Sequence, residues 1–462
     1  SFRMMWKFAK YFAYGSTCLA VTLYISWRGV HQWVERYELA SSPHSQDPYE
    51  WDKEGVRWTG QGQKGGTDPR LGWRGRSLVR GAWMALNWGS GLDSGVIDAT
   101  STNPDAPIFD RRLATALYQI STAVRIAKGI PVLNRSDGTM DPTMLDLRTI
   151  EAGVLERIGR DDTLEAAKAA YEELQSAYMA EKRVPEAART AVKIGDVTAR
   201  LGDVEEALTW WKNALELSGH SYPVSTDSTS TSATPYVQRT LTSAIISLSG
   251  YLSATRDLQN ALALQVRALN ILPHFLSPFN TPMSPATIDQ VLHELHLTHR
   301  AAVIQTHLAE VLYALRTPSS TGFFTRSKDS GSSAPITTPL ALLQNAASKI
   351  EHIIQVLTSP TSNLKSLPPL KPSSLPLLPI FSTSRSLAYP STTLLRQSKR
   401  STTYALNLTA LLLEELHKYE ESLEDFERAL AWAGGVEGYD EEVLEREWKS
   451  VWKGYVRVRE RV

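Results

Sequence analysis

A small residue, a bulky one at i+4 and a second small one at i+7 recur three times in this chain. Ala207, Trp211 and Ala214 set the pattern in DVEEALTWWKNALEL. Ala261, Gln265 and Ala268 repeat it in DLQNALALQVRALNILP, and Ser422, Phe426 and Ala429 in YEESLEDFERALAW. On a helix these positions share one face. Small residues at the ends of the triplet let a second helix come close, and the bulky residue between them fills the neighbour's groove. Such a unit cannot bury its apolar face alone, so the pattern demands a stacked array.

Helical periodicity dominates from Leu71 onward, and no run alternates apolar and polar as a half-buried strand does. The pattern predicts helices over 73–88, 111–129, 146–159, 163–178, 185–201, 204–218, 236–254 and 257–272. Further helices are predicted over 285–316, 339–357, 393–417, 419–432 and 440–461. Paired in order they make about six hairpins and a terminal cap, an all-α solenoid. The last helix carries Trp448, Trp452 and Tyr455, the face expected on the array, with charges elsewhere. Three Ser/Thr/Pro-rich stretches, 222–235, 317–339 and 358–393, read as loop insertions. The last contains LPPLKPSSLPLLP, in which a flexible insertion competes with a polyproline docking motif.

At the amino terminus, Tyr11 to Trp27 is a run of 17 residues without a charge, near the short end of the roughly 17–25 residues that cross a bilayer. Trp6, Phe8, Tyr11 and Phe12 mark one end, and Tyr24, Trp27 and Trp33 the other, as interfacial belts. Gly15, Ser16 and Ala20 make one side small enough to pack on another membrane helix. Residues 1–10 carry Arg3, Lys7 and Lys10 and no acid, which orients the large remainder away from the cytosol or matrix. The chain starts at Ser1-Phe2-Arg3 without methionine, which suggests that a targeting peptide has been removed. A retained span with a basic matrix side points to the mitochondrial inner membrane, with residues 73–439 and the capping segment 440–462 in the intermembrane space.

Little points to chemistry. Lys plus Arg and Asp plus Glu are both 49, so no overall field favours nucleic acid. Cys18 is the single cysteine, which excludes an internal disulfide and a cysteine zinc site. Gly60, Gly62 and Gly65 fit G-x-G-x-x-G, but a turn follows where a dinucleotide site needs a helix. The Trp/Gly-rich segment 28–72 reads instead as a juxtamembrane stretch packed on the first helices. His293, His296, His299 and His307 are the metal candidates. The order His293-Glu294-Leu295-His296 is one residue short of H-E-x-x-H, and His299 is rotated away, so a groove-lining role competes with metal binding. Arg74, Arg76 and Arg80 form a basic strip suited to anionic lipid. No cofactor, metal or small-molecule substrate is expected.

The triplets in DVEEALTWWKNALEL, DLQNALALQVRALNILP and YEESLEDFERALAW resemble second helices of tetratricopeptide (TPR) units. In that family first helices line a concave groove for peptides and proteins. Aligned on Ala207, the resemblance implies Arg189, Val192, Asp196, Ala199 and Arg200 as groove residues. Val192 and Asp196 stand where chaperone-tail clamps of the family carry Lys and Asn, which argues against that activity. The anchor, solenoid, insertions and WTGQGQKGGTDPRLGWRGR are similar to fungal mitochondrial inner-membrane TPR proteins that bring substrates to the i-AAA protease. The resemblance implies a membrane-anchored adaptor presenting protein clients to a AAA protease. An import receptor or respiratory-complex assembly factor, and a metal-dependent enzyme built on His293 and His296, are the alternatives.

Overall fold

The apolar periodicity becomes helix throughout. A computed structural model describes residues 2–39, 47–54, 57–58, 66–88, 111–133, 139–220, 233–272, 288–316, 336–358, 377–434 and 445–462. Among the described residues there are 15 α-helices and no strand. They divide into two compact units.

The first unit comprises residues 1–45, 56–183 and 197–203. It contains α1 (Phe2–Trp33), α2 (Gly72–Asn87), α3 (Arg111–Lys128), α4 (Pro142–Ile158), α5 (Asp161–Ala180) and the end of α6 (Val184–Leu201). Helices α2 to α5 pack in sequence order, around Val79, Ile120, Val124, Leu147 and Val154. The second unit comprises residues 46–55, 184–196 and 204–462. After the start of α6 come α7 (Val204–Leu217), α8 (Pro235–Ala254), α9 (Leu258–Ile271), α10 (Ile288–Arg316) and α11 (Thr337–Thr358). They are followed by α12 (Pro379–Ser382), α13 (Arg385–Glu415), α14 (Tyr419–Trp432) and α15 (Glu445–Arg459). Neighbours in sequence are neighbours in space here, a solenoid-like arrangement.

Close approach is visible where the triplet's bulky residue lands. Trp211 is 3% exposed, and a Cβ added to Gly195 of α6 would come within 2.5 Å of its Nε1. A Cβ on Gly454 of α15 would meet the Phe426 ring at 2.5 Å. Glycine is therefore what allows α6 and α15 to seat these two rings. The capping face of α15 is Val451, Gly454 and Val458. Trp448 and Tyr455, half-buried, pack on the same core as expected, and only Trp452, stacked on both, is exposed.

Two boundaries differ from the sequence reading. Helix α13 starts at Arg385 and runs through Pro390, where a Pro-Ser-Thr cluster reads as a break. Pro390 is the sixth residue of the helix, where its missing N–H costs one backbone hydrogen bond, and the burial of Leu387, Leu394 and Leu395 around it favours the continuous helix. The stretch 377–393 is not a loop, because Leu377, Leu378, Phe381 and Leu387 pack into the second unit's core. Most of the other two insertions, and Gly60, Gly62 and Gly65, lie outside the described residues.

Helix α1 continues past the 11–27 run to Trp33 and then into a π-helical turn, Val34–Glu38. Its described side chains are exposed as far as Val30, and burial begins at His31. No helix among the described residues is long and apolar enough to cross a membrane. Ser16, Thr17, Thr22 and Ser26 dilute the apolar run of α1.

Candidate functional site

Four hairpins of the second unit each have a first and a returning helix, the first being α6, α8, α10 and α13. A short piece of the same chain, residues 47–54, lies against all four. Its turn is local in origin. The Asp47 carboxylate accepts hydrogen bonds from the amides of Tyr49 (3.0 Å) and Asp52 (3.1 Å). Glu50 takes the left-handed conformation (φ 54°, ψ 36°), and Trp51–Lys53 form a 3-10 turn.

Trp51 is 1% exposed. Its indole Nε1 donates to the Asp289 carbonyl on α10 at 3.0 Å, and its ring meets Leu292, Leu295, Phe381 and Leu394 in one apolar cluster. The turn packs on α13. Three residues on, Glu54 is held by two arginines. Arg189 of α6 donates at 2.9 Å and Arg239 of α8 at 2.8 Å, one to each carboxylate oxygen. Arg239 is fully buried. Its Nη2 donates to the carbonyls of Tyr49 (3.0 Å) and Glu50 (3.2 Å), and its guanidinium lies 4.0 Å over the Trp51 ring. A single arginine thus grips carboxylate, backbone and indole, the fork geometry and stacking that lysine lacks.

The charge state follows from the contacts. Burial pushes the Glu54 carboxyl up, but Arg189 and Arg239 outweigh it and the net shift is down, so Glu54 is ionised. His293 Nδ1 lies 3.2 Å from Arg239, which only donates, so the ring proton sits on Nε2, 2.9 Å from Gln238 Oε1. Burial, and then Arg239, lower His293 to about 3, so it is neutral. Burial and Arg189 lower Arg300 to about 10, against opposing pulls from Glu54 and Asp196. The Arg300 Nε is enclosed with no hydrogen-bond partner among the described residues. Two guanidinium groups, those of Arg189 and Arg239, therefore hold one carboxylate, while Arg300 feels the charges of both Glu54 and Asp196.

The groove residues inferred from the TPR resemblance take different places. Arg189 binds Glu54, Val192 is buried, and Asp196 accepts from Trp211 Nε1 at 3.0 Å. Ala199 and Arg200 fall in the first unit, where Arg200 donates to the Glu156 carbonyl at 3.1 Å. His293 and His296 pack edge-on against Trp51, and His299 Nε2 lies 3.1 Å from Ser401 Oγ. Among the described residues no three His, Cys, Asp or Glu side chains converge on a metal position. Gly15, Ser16 and Ala20 are exposed on α1, and beyond its own helix backbone nothing among the described residues lies within 4 Å of a Cβ placed on Gly15.

Sequence reasoning missed Trp51, Glu54, Arg239 and Arg300. It placed the whole juxtamembrane segment on the first helices. That holds for Trp58, which packs on the first unit's core, but Trp51 binds α10 across 238 residues. The arginine strip is also largely spent, because Glu35 accepts from Arg76 at 2.6 Å and from Arg80 at 2.9 Å. Only Arg74 of the three stays exposed. Comparison with known proteins finds no matching family model and no matching curated protein.

Proposed function

We propose that this chain is a membrane-anchored adaptor whose second unit binds protein clients along its first helices. One observation carries the reading: residues 47–54 lie across α6, α8, α10 and α13, held through carboxylate, indole and main-chain carbonyls. A surface that grips a peptide's backbone and side chains together is suited to extended segments of other proteins.

The anchor is α1. Its uncharged 17 residues span about 25 Å at 1.5 Å per residue. Phe12, Leu19, Leu23, Ile25 and Trp27 are all exposed, a surface costly to leave in water. The hydroxyls of Ser16, Thr17 and Thr22 donate to carbonyls of their own helix at 2.8–3.0 Å, as hydrocarbon surroundings require. The exposed small face at Gly15, Ser16 and Ala20 is then a packing site for a partner's membrane helix. The likeness to fungal inner-membrane TPR adaptors supplies the setting: the mitochondrial inner membrane, the solenoid in the intermembrane space, and an i-AAA protease as the complex served.

Affinity capture from detergent-solubilised mitochondrial membranes tests the assignment. A AAA protease together with its short-lived substrates is the expected catch. Recovery of precursor proteins and translocase subunits without a protease would replace it with the import-receptor reading. Respiratory subunits alone would indicate an assembly factor.

A further inference from the structure

We propose that residues 47–54 are a displaceable internal ligand, and that the groove they fill selects clients with an aromatic residue three positions before a carboxylate. This rests on the adaptor reading and names the peptide class its groove accepts.

Four observations support it. First, the anchors are those of peptide recognition. The Trp51 indole is fixed at both its ring and its N–H, Glu54 is fixed by Arg189 and Arg239, and Arg239 reads the carbonyls between them. Secondly, the site is complementary in charge to a carboxylate. Arg189 at 2.9 Å and Arg239 at 2.8 Å each take one oxygen of the Glu54 carboxylate, and Arg239 is fully buried. A client carboxylate thus meets a site already charged for it. Thirdly, the segment stores strain, because Glu50 holds a left-handed backbone that a residue with a side chain adopts reluctantly. Fourthly, its flanks, residues 1–45 and 56–183, belong to the other unit. No helix of the groove has to unwind for the segment to leave.

The test uses the full chain in detergent and a fluorescent peptide of sequence DPYEWDKE, the sequence of residues 47–54. The double variant Trp51→Ala/Glu54→Gln, with its own segment weakened, is expected to bind this peptide at least tenfold more tightly than the unmodified chain does. Peptides carrying Ala for the Trp, or Gln for the final Glu, should fail to compete. A double variant that melts cooperatively yet ignores the peptide overturns the proposal. Should that variant unfold, hydrogen exchange on the unmodified chain decides. The amides of Glu50, Lys53 and Glu54, each bonded within the segment, should exchange at least tenfold faster than those in the middle of α10. Equal rates would make the segment a fixed part of the core and overturn the idea. Peptide binding without any client in membrane capture counts against the adaptor reading alone. Captured clients without peptide binding overturn the internal ligand and leave the adaptor reading standing.

Discussion

Trp211 shows how one residue joins two neighbouring hairpins. Its ring enters the space left by Gly195, its indole N–H reaches Asp196 at 3.0 Å, and its face meets Tyr251 at 5.7 Å. Trp211→Ala should cost about 3–5 kcal/mol as a large core truncation. Trp210, which bonds only to Glu206 on its own helix among the described residues, should cost far less. Urea unfolding of both variants checks this, and equal small losses would mean that the ring is not wedged. Gln265 occupies the same slot in its triplet, fully buried, with neither amide atom hydrogen-bonded among the described residues. An unpaired buried amide carries a desolvation cost of about 1–3 kcal/mol, so Gln265→Leu should raise the unfolding midpoint. A lower midpoint would show that the amide has a polar partner, such as an enclosed water. The triplet's spacing located this slot in the sequence. Its partners were hidden, because they sit on helices that only packing brings together.

Helix α1 is fixed at its end by one carboxylate. Glu35, in the π-helical turn, accepts from Arg76, Arg80 and the Thr67 amide at 2.6–2.9 Å. Burial pushes its carboxyl up, but Arg76 and Thr67 bring the net shift down. Glu35→Gln should cost about 1.5–3 kcal/mol, the range for hydrogen bonds to a charged group, and should speed proteolysis between α1 and α2. Unchanged proteolysis would show that the apolar contacts of this junction suffice. Helix α10 makes the second unit acid-sensitive. Burial, aided by Arg239 at His293 and by Arg300 at His299, lowers both rings to about 3. In the unfolded chain they take a proton near pH 6.5. Between about 6.5 and 3 the unfolded state therefore binds more protons, and stability falls as pH falls. The urea midpoint should drop from pH 7 to pH 5, and His299→Gln should shrink that drop. An unaltered slope in the variant would place the acid sensitivity elsewhere. The histidine cluster was legible as a cluster, but its neutrality depends on burial and on Arg239, which belongs to another helix.

For the whole molecule, the proposal that α1 is a membrane anchor predicts, from its basic flank, a fixed orientation. Carbonate extraction should leave the full chain in the membrane pellet and release a chain lacking residues 2–30. Protease should reach the helical units only after the outer mitochondrial membrane is ruptured. Digestion in intact organelles would place them on the outer surface and count against the inner-membrane assignment. The sequence by itself determined most of the helices, though not α12 or the first turns of α13, and the close approach of Trp211 and Phe426 to neighbouring helices. Those properties are written in local spacing, since positions i, i+4 and i+7 share a face in any helix. Only the tertiary structure decided what lies across α6, α8, α10 and α13. Glu54 meets Arg239 across 185 residues and Trp51 meets Asp289 across 238. No periodicity in one chain encodes such a return, because the return depends on how the whole stack of helices brings distant faces to the same place.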